Sequence, residues 1–182
     1  ETGISSEQVV DGHLMKAWRD EVRLPNGKVM QLDIVEHPVA VVLVPVDAQG
    51  NIWLIRQYRH ATGGTIVEIP AGNMDREGEN VEACVQRELA EEVGFQAGRL
   101  IRLFEGYLVP GYCNEYMYFY LALDLQPASL PADEDEYIRV MTVSFEEAEF
   151  DESLSLLEEL RPATVFAFKY SARAGTIAAG LP

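Results

Sequence analysis

The chain has 182 residues, a length that suits one domain. Thirty Asp and Glu residues against fourteen Lys and Arg give a formal net charge of −16. Such a surface repels nucleic-acid backbones and anionic membranes, and no apolar run approaches the ~20 residues of a membrane span. We therefore expect neither nucleic-acid nor membrane partners. A small anionic substrate fits only if cations bridge it to the protein.

The N-terminal region, residues 1–37, is predicted to be an antiparallel β-hairpin. Its strands cover residues 14–24 and 28–36, and Asn26-Gly27 between them is a strong hairpin signal. The region ends at Pro38 and is a candidate dimerisation element. The polar start is unlike a secretory signal, and Cys84 and Cys113 match neither a disulfide framework nor a metal-ligand spacing. We expect a cytoplasmic protein with reduced thiols.

The rest of the chain, residues 38–182, is predicted to be the main domain. The β-branched run 39–46 is typical of a strand buried on both faces. Further strands are predicted at 52–58, 65–69, 100–108, 116–123 and 137–143. A helix begins after the cap residue Asn80 and ends at Gly94, and more helix is predicted beyond residue 145. This order indicates an α/β fold of the layered α/β/α type.

The central helix carries three acidic residues, Glu88, Glu91 and Glu92, in a chain already rich in acid. At about 100° per residue they share one sector of the helix, beside an apolar stripe formed by residues 85, 89 and 93. Like charges at this spacing repel one another, and partial burial adds a desolvation cost. Divalent cations would remove both problems, although a solvated acidic helix is the simpler reading of this segment alone.

The flanking residues resemble the signature of the Nudix hydrolases, a glycine, a glutamate and then REUXEEXGU, where U is a bulky apolar residue. Residues 87–95, RELAEEVGF, match every defined position, and Glu79 stands at the proper distance before Arg87. One departure is an extra residue between Gly72 and Glu79, so that strict counting places Asn73 at the glycine position. The resemblance implies a Nudix fold, an α/β/α sandwich with a mixed central sheet.

The resemblance also implies roles for individual residues. Glu88 and Glu92 would ligate a metal ion directly, together with the backbone carbonyl of Ala71. Glu91 would bind metal or hold a metal-bound water, and it joins Arg87 among the candidate catalytic residues. Arg87 would orient the carboxylates through its guanidinium, with Glu79 as a candidate partner. The implied cofactor is Mg²⁺, with Mn²⁺ as the alternative.

Features outside the signature resemble the ADP-ribose pyrophosphatase subgroup. They are the segment EIPAG at 68–72, the segment RQYR at 56–59 and Pro110, fifteen residues after Phe95. The implied activity is hydrolysis of a nucleoside diphosphate sugar such as ADP-ribose, by a homodimer. The implied substrate contacts are Arg56, Arg59, Pro110 and Glu115.

The acidic loop ADEDEYIRV supplies the last candidates, because related enzymes carry two acids two residues apart before such a strand. Glu134 would be the base that deprotonates the attacking water, and Glu136 a further metal ligand. Two alternatives stay open: hydrolysis of another nucleotide sugar, such as GDP-mannose or ADP-glucose, and a Nudix-like domain that senses a nucleotide without cleaving it.

Overall fold

The computed structural model of the chain describes residues 1–128, 130 and 137–144. The predicted N-terminal hairpin is confirmed as strands β2 (Lys16–Arg23) and β3 (Val29–Glu36). Gly27 adopts a φ of 82° and donates its N–H to the carbonyl of Leu24 at 2.9 Å. Proline and asparagine fill the two positions before it, so the connection is a type I turn closed by a left-handed glycine.

An additional strand, β1 (Thr2–Asp11), pairs antiparallel with β2 and completes a three-stranded sheet in the order β1-β2-β3. The sequence gives no signal for this strand, because its residues are mostly polar and do not alternate with an apolar face. All ten of its residues are exposed. A bridge between Val35 of β3 and Cys113 connects this sheet to the rest of the protein.

The main domain contains two sheets, and the predicted strands within them are confirmed. One is mixed, in the order β7-β4-β9-β8, and consists of β4 (Ala40–Pro45), β7 (Ala71–Asn73), β8 (Phe95–Tyr107) and β9 (Tyr116–Pro127). The other is antiparallel, in the order β10-β5-β6, and consists of β5 (Asn51–Arg59), β6 (Gly64–Glu68) and β10 (Ile138–Ser144). The β-branched strand β4 is buried, as its composition predicts, and the structure shows that it pairs parallel with β9.

The helix α1 (Val81–Glu88) packs on the mixed sheet, and the chain continues without a break into a π-helical turn, Leu89–Val93, which packs against the antiparallel sheet. Asn80 caps the start by accepting a hydrogen bond from the Ala83 N–H at 2.8 Å, and Gly94 ends the helix with a φ of 80°. Both caps confirm the sequence prediction. The π-helical turn was not predicted, because an apolar period of 3.6 residues cannot reveal it.

Two apolar clusters fix the position of this helix. Cys84 and Val85 pack against Val41 and Tyr120 of the mixed sheet. Leu89 and Val93 pack against a second group that includes Ile55 of the antiparallel sheet. The α/β fold with a mixed sheet is therefore confirmed. The predicted C-terminal helices lie outside the described residues, and within those residues no helix has the length and hydropathy to cross a membrane.

The end of β3 joins the N-terminal sheet to the main domain. The Val35 N–H donates to the carbonyl of Tyr112 at 2.7 Å, and the Asn114 N–H donates to the carbonyl of Val35 at 3.0 Å. The His37 N–H donates to Oδ1 of Asn114 at 2.9 Å. These bonds hold the loop after β8 against the N-terminal sheet, close to the edge of the cavity described next.

Candidate active site

Arg87 is the centre of a hydrogen-bonded group of acids. Its Nε and Nη2 donate to the two carboxylate oxygens of Glu79 at 2.8 and 2.9 Å. Its Nη1 donates to Glu88 at 2.5 Å and to Glu91 at 3.0 Å, and Nη2 also reaches the carbonyl of Asn73 at 3.0 Å. The residue is 9% exposed. Because every donor on this rigid fork has an acceptor, Arg87 fixes the directions of three carboxylates.

These contacts also determine the charge states of the central pair. Hydrogen bonds from Arg87 hold the pKa of Glu79 below its ordinary value. The same pairing with Glu79, followed by the contacts to Glu91 and Glu88, raises the pKa of Arg87 and keeps it cationic. The predicted partnership between Arg87 and Glu79 is therefore confirmed.

Strand β7 lies against the side chains of Glu88 and Glu92. The Ala71 N–H donates to Oε2 of Glu92 at 3.0 Å. A Cβ added at Gly72 would overlap the carboxylate of Glu88, so this position requires glycine. On steric grounds Gly72, and not Asn73, occupies the glycine position of the signature, because the Glu88 carboxylate leaves no room for a side chain there. The extra residue of the signature therefore lies between Gly72 and Glu79.

Glu88 and Glu92 are 8% and 5% exposed, and the side chain of Glu91 is 9% exposed. The expectation that these acids border the buried side of the helix is confirmed. Glu91 and Glu92 lie on the π-helical turn, which places them differently from a continued α-helix. Arg76 donates to Oε1 of Glu91 at 2.7 Å from the solvent side.

A divalent cation fits the charges of this group. Counted as ionised, the four carboxylates of Glu79, Glu88, Glu91 and Glu92 contribute −4, and Arg76 and Arg87 contribute +2, which leaves −2. Carboxylate oxygens are the ligands that Mg²⁺ prefers. Among the described residues, no three acidic, histidine or cysteine side chains already surround one point suitable for a metal ion. The carboxylates of Glu79, Glu88 and Glu91 instead accept hydrogen bonds from Arg87.

A cavity of about 520 Å³ opens beside this group, within the usual size range of small-molecule sites. Its acidic wall includes Asp75, Glu88, Glu91 and Glu115. Arg59, Arg76 and Arg87 also line it, so the cavity offers positive charge as well as acids. The N-terminal sheet and the segment after it contribute Leu14 and His37.

The structure brings most of the predicted site residues to this cavity. Ala71, Arg87, Glu88, Glu91, Arg59 and Glu115 line it, and Glu92 lies behind Ala71. Arg56 is exposed on the opposite face of β5 from Arg59, and Pro110 is exposed in the turn after β8. Neither residue lines the cavity. Glu134 and Glu136 lie outside the described residues.

Three further polar residues were not predicted from the sequence: His37, which lines the cavity, Glu68, which contacts the cavity residue Arg59, and Gln57, which is buried on β5. His37 approaches Glu115, with 3.2 Å between Nδ1 and Oε1. Glu68 accepts a hydrogen bond from Nε of Arg59 at 2.8 Å. Gln57 is 8% exposed, and its Oε1 has no hydrogen-bond partner in the described part of the chain. The available signal was polarity: Gln57 and Glu68 interrupt the apolar faces of their strands.

The two cysteines do not contribute reactive groups. Burial raises the pKa of the Cys84 thiol to about 12, so it is not a thiolate nucleophile near neutral pH. Cys84 and Cys113 are both buried free thiols. Cys84 belongs to the apolar core, beside Val85 and Val41.

Comparison with known proteins identifies the class. The NUDIX domain family matches residues 36–164, most of the chain, so the protein belongs to the Nudix family. It is 38% identical over 150 residues to the ADP-ribose pyrophosphatase of Bacillus subtilis, covering 81% of this chain and 80% of that protein. It is 34% identical over 175 residues to the methanol dehydrogenase activator of Bacillus methanolicus, covering 93% and 91%.

A solved structure agrees with the sequence comparisons. The crystal structure of an ADP compounds hydrolase superimposes with a TM-score of 0.74 and 29% identity, covering 86% of this chain and 82% of that one. The protein is thus a Nudix pyrophosphohydrolase that resembles the ADP-ribose pyrophosphatases. Hydrolases of this family generally use divalent metal ions, which agrees with the residual charge of the carboxylate group.

Replacing Arg87 with Lys should destabilise the protein by about 2 kcal/mol or more, because one ammonium cannot satisfy the acids that share the guanidinium. Urea unfolding monitored by circular dichroism measures the change. The matched control is Arg19→Lys, whose Nε donates to Asp33 at 2.9 Å on the exposed sheet and should cost less than about 0.5 kcal/mol. Equal losses in the two variants would contradict the central role of Arg87.

The low pKa of Glu79 predicts a specific acid dependence. A carboxyl whose folded-state pKa lies below its unfolded value stabilises the fold above the unfolded pKa, and this contribution disappears as pH falls through the folded pKa. The difference in unfolding free energy between the wild type and Glu79→Gln should therefore be largest near neutral pH. It should shrink below the ordinary value of 4.5.

Urea midpoints at several pH values between 7 and 3 measure this difference. The control is Glu82→Gln on the exposed face of the same helix, which should differ from the wild type by no more than about 0.5 kcal/mol throughout. A Glu79→Gln difference that does not change with pH would show that the charge of Glu79 contributes nothing to stability.

Proposed function

We propose that the protein hydrolyses the pyrophosphate bond of a nucleoside diphosphate sugar, with ADP-ribose as the substrate. The reaction adds one water to ADP-ribose and releases AMP and ribose 5-phosphate. One observation carries the proposal: a buried guanidinium holds clustered carboxylates at a cavity that also presents an arginine for phosphate. The similarity to ADP-ribose pyrophosphatases supports this choice of substrate.

In this proposal Glu88 and Glu92 hold the divalent cation, with Glu91 and the backbone of Ala71 beside them. The cation is Mg²⁺, or Mn²⁺ in its place, and when bound it neutralises diphosphate oxygens and acidifies water. Arg87 keeps the carboxylates in position. Glu136 is proposed as a further ligand and Glu134 as the base, both by resemblance alone.

Arg59 and Glu115 are the proposed substrate contacts, because both line the cavity. Arg59 supplies charge-assisted hydrogen bonds to phosphate, and a carboxylate such as Glu115 can accept hydrogen bonds from sugar hydroxyls. Arg56 and Pro110 do not line the cavity, and their proposed contacts with the substrate rest on the resemblance alone.

The substrate is tested directly with a panel of ADP-ribose, GDP-mannose and ADP-glucose, assayed with Mg²⁺ and with Mn²⁺. Chromatography identifies the nucleoside monophosphate that is released. Preference for ADP-ribose supports the proposal, and a higher kcat/KM for another member of the panel reassigns the substrate. Binding without turnover of any member would favour the nucleotide-sensing alternative.

Glu92→Gln should lower kcat by on the order of 100-fold or more, because the variant loses a charged oxygen ligand beside β7. Chelation should abolish turnover in the wild type. The exposed Glu82→Gln is the control and should keep full activity. Thermal unfolding of each variant shows whether a loss of turnover comes from a loss of fold. Unchanged turnover in Glu92→Gln would contradict the proposed cation site.

We also propose that the protein is a cytoplasmic homodimer in which residues 1–37 form the dimerisation element. The support is β1, a ten-residue edge strand whose exposed side chains include Ile4, Val9 and Val10. Exposed edges of this length are usually covered in native proteins.

Sedimentation should therefore report about twice the 20.3 kDa of one chain. The double variant Ile4→Glu with Val10→Glu should shift the mass toward one chain. The exposed Val140→Glu in the main domain is the control and should leave the mass unchanged. A wild-type mass of one chain would contradict the dimer.

A further inference from the structure

The ion pair between Arg59, which lines the cavity, and Glu68 orients a cavity side chain but contributes little to the stability of the fold. Arg59 is the last residue of β5, and its Nε donates to Oε2 of Glu68 at the end of β6, at 2.8 Å. Strand pairing places Arg59 opposite Gly64 and Glu68 opposite Ile55. The arginine side chain therefore runs back along the sheet, across the row of Gln57, to reach the carboxylate.

The two side chains are 41% and 26% exposed. An ion pair in such a setting contributes little to folding, because water screens the charges and two long side chains lose freedom. The pair nevertheless sets the direction of a guanidinium that lines the cavity. The main effect of the ion pair is therefore to orient the Arg59 guanidinium.

Arg59 differs from the other arginines of the cavity in the number of its N–H groups that are free to bind a ligand. Arg87 donates to three carboxylates and to a backbone carbonyl, and Arg76 donates to Glu91. The Nε of Arg59 is taken by Glu68, while its two Nη groups make no hydrogen bond to any described residue. A guanidinium held at Nε and open at both Nη groups has the fork geometry that binds phosphate oxygens in pairs.

We propose that Glu68 is a positioning residue, which holds Arg59 so that its two Nη groups bind the diphosphate of the substrate. This inference rests on the proposed function and names a residue that acts through Arg59 without touching the substrate. The residue paired opposite Arg59 is Gly64, which has no side chain to orient the guanidinium.

Glu68 has two opposing effects on anion binding. Its charge weakens the attraction of Arg59 for phosphate, and its hydrogen bond fixes the guanidinium in place. Glu68→Gln removes the charge and retains an oxygen that can accept from Nε, whereas Glu68→Ala removes both. The comparison of these two variants therefore isolates the contribution of orientation.

The test measures kcat and KM for ADP-ribose in the wild type, Glu68→Gln and Glu68→Ala. We expect Glu68→Ala to raise KM about tenfold and to change kcat less than about threefold, as expected for the loss of one pre-oriented, charge-assisted contact. Glu68→Gln should stay within about threefold of the wild-type KM. A KM in Glu68→Ala that equals or falls below that of Glu68→Gln would overturn the proposal.

A double-mutant cycle tests whether Glu68 acts through Arg59. In an Arg59→Ala background, Glu68→Ala should cause no further increase in KM, and an additive increase would overturn the positioning role. The matched control is Asp33→Ala, which removes a similar contact to an arginine Nε, at 2.9 Å, on the N-terminal sheet. It should leave KM unchanged.

Two experimental outcomes distinguish a failure of this proposal from a failure of the proposed function. If the wild type hydrolyses no member of the nucleotide-sugar panel, the proposed function fails and takes the inference with it. If the wild type turns over ADP-ribose and Glu68→Ala retains the wild-type KM, the inference alone fails. Urea unfolding of each variant should give midpoints close to wild type, because the exposed pair contributes little to stability.

Discussion

The structure depends on the buried guanidinium of Arg87. Four carboxylates converge where the central helix meets β7, and without a fixed cation their repulsion and desolvation would push them apart or protonate them. Arg87 offsets part of that charge and determines where the carboxylates of Glu79, Glu88 and Glu91 point. Because two arginines balance only half of the negative charge, the group retains the capacity to bind a divalent ion. The hydrogen bonds of Arg87 thus stabilise the fold and also position the carboxylates for binding a divalent ion.

The architecture keeps this group rigid. The helix packs on the mixed sheet through Cys84 and Val85 and on the antiparallel sheet through Leu89, so it cannot rotate without disrupting two apolar clusters. Strand β7 then approaches so closely that Gly72 must lack a side chain. The π-helical turn places Glu91 and Glu92 at the point where the helix passes from one sheet to the other. A π-helical turn at a functional position is a common arrangement in enzymes.

Much of the fold and of the site could be predicted from sequence, and the failures have physical reasons. The strands with strong β-branched or alternating patterns and the helix between Asn80 and Gly94 were predictable, since each has its own local signal. Strand β1 was missed because it lacks an apolar face, and β7 because three residues carry no period. The cavity contacts of Glu68 and His37 were missed because side chains on separate strands meet only after the sheets have packed.

The sequence by itself determined the class of protein, because the spacing of Glu79, Arg87, Glu88, Glu91 and Glu92 is a one-dimensional property of a single segment. Local chemistry also determined the caps and the buried strand β4. Only the tertiary structure decided that Gly72 faces Glu88. It also decided that Arg59, and not Arg56, lines the cavity, and that Glu68 accepts the hydrogen bond from Arg59. These choices depend on the face that each residue presents, and strand pairing and helix packing set that face across residues distant in the chain.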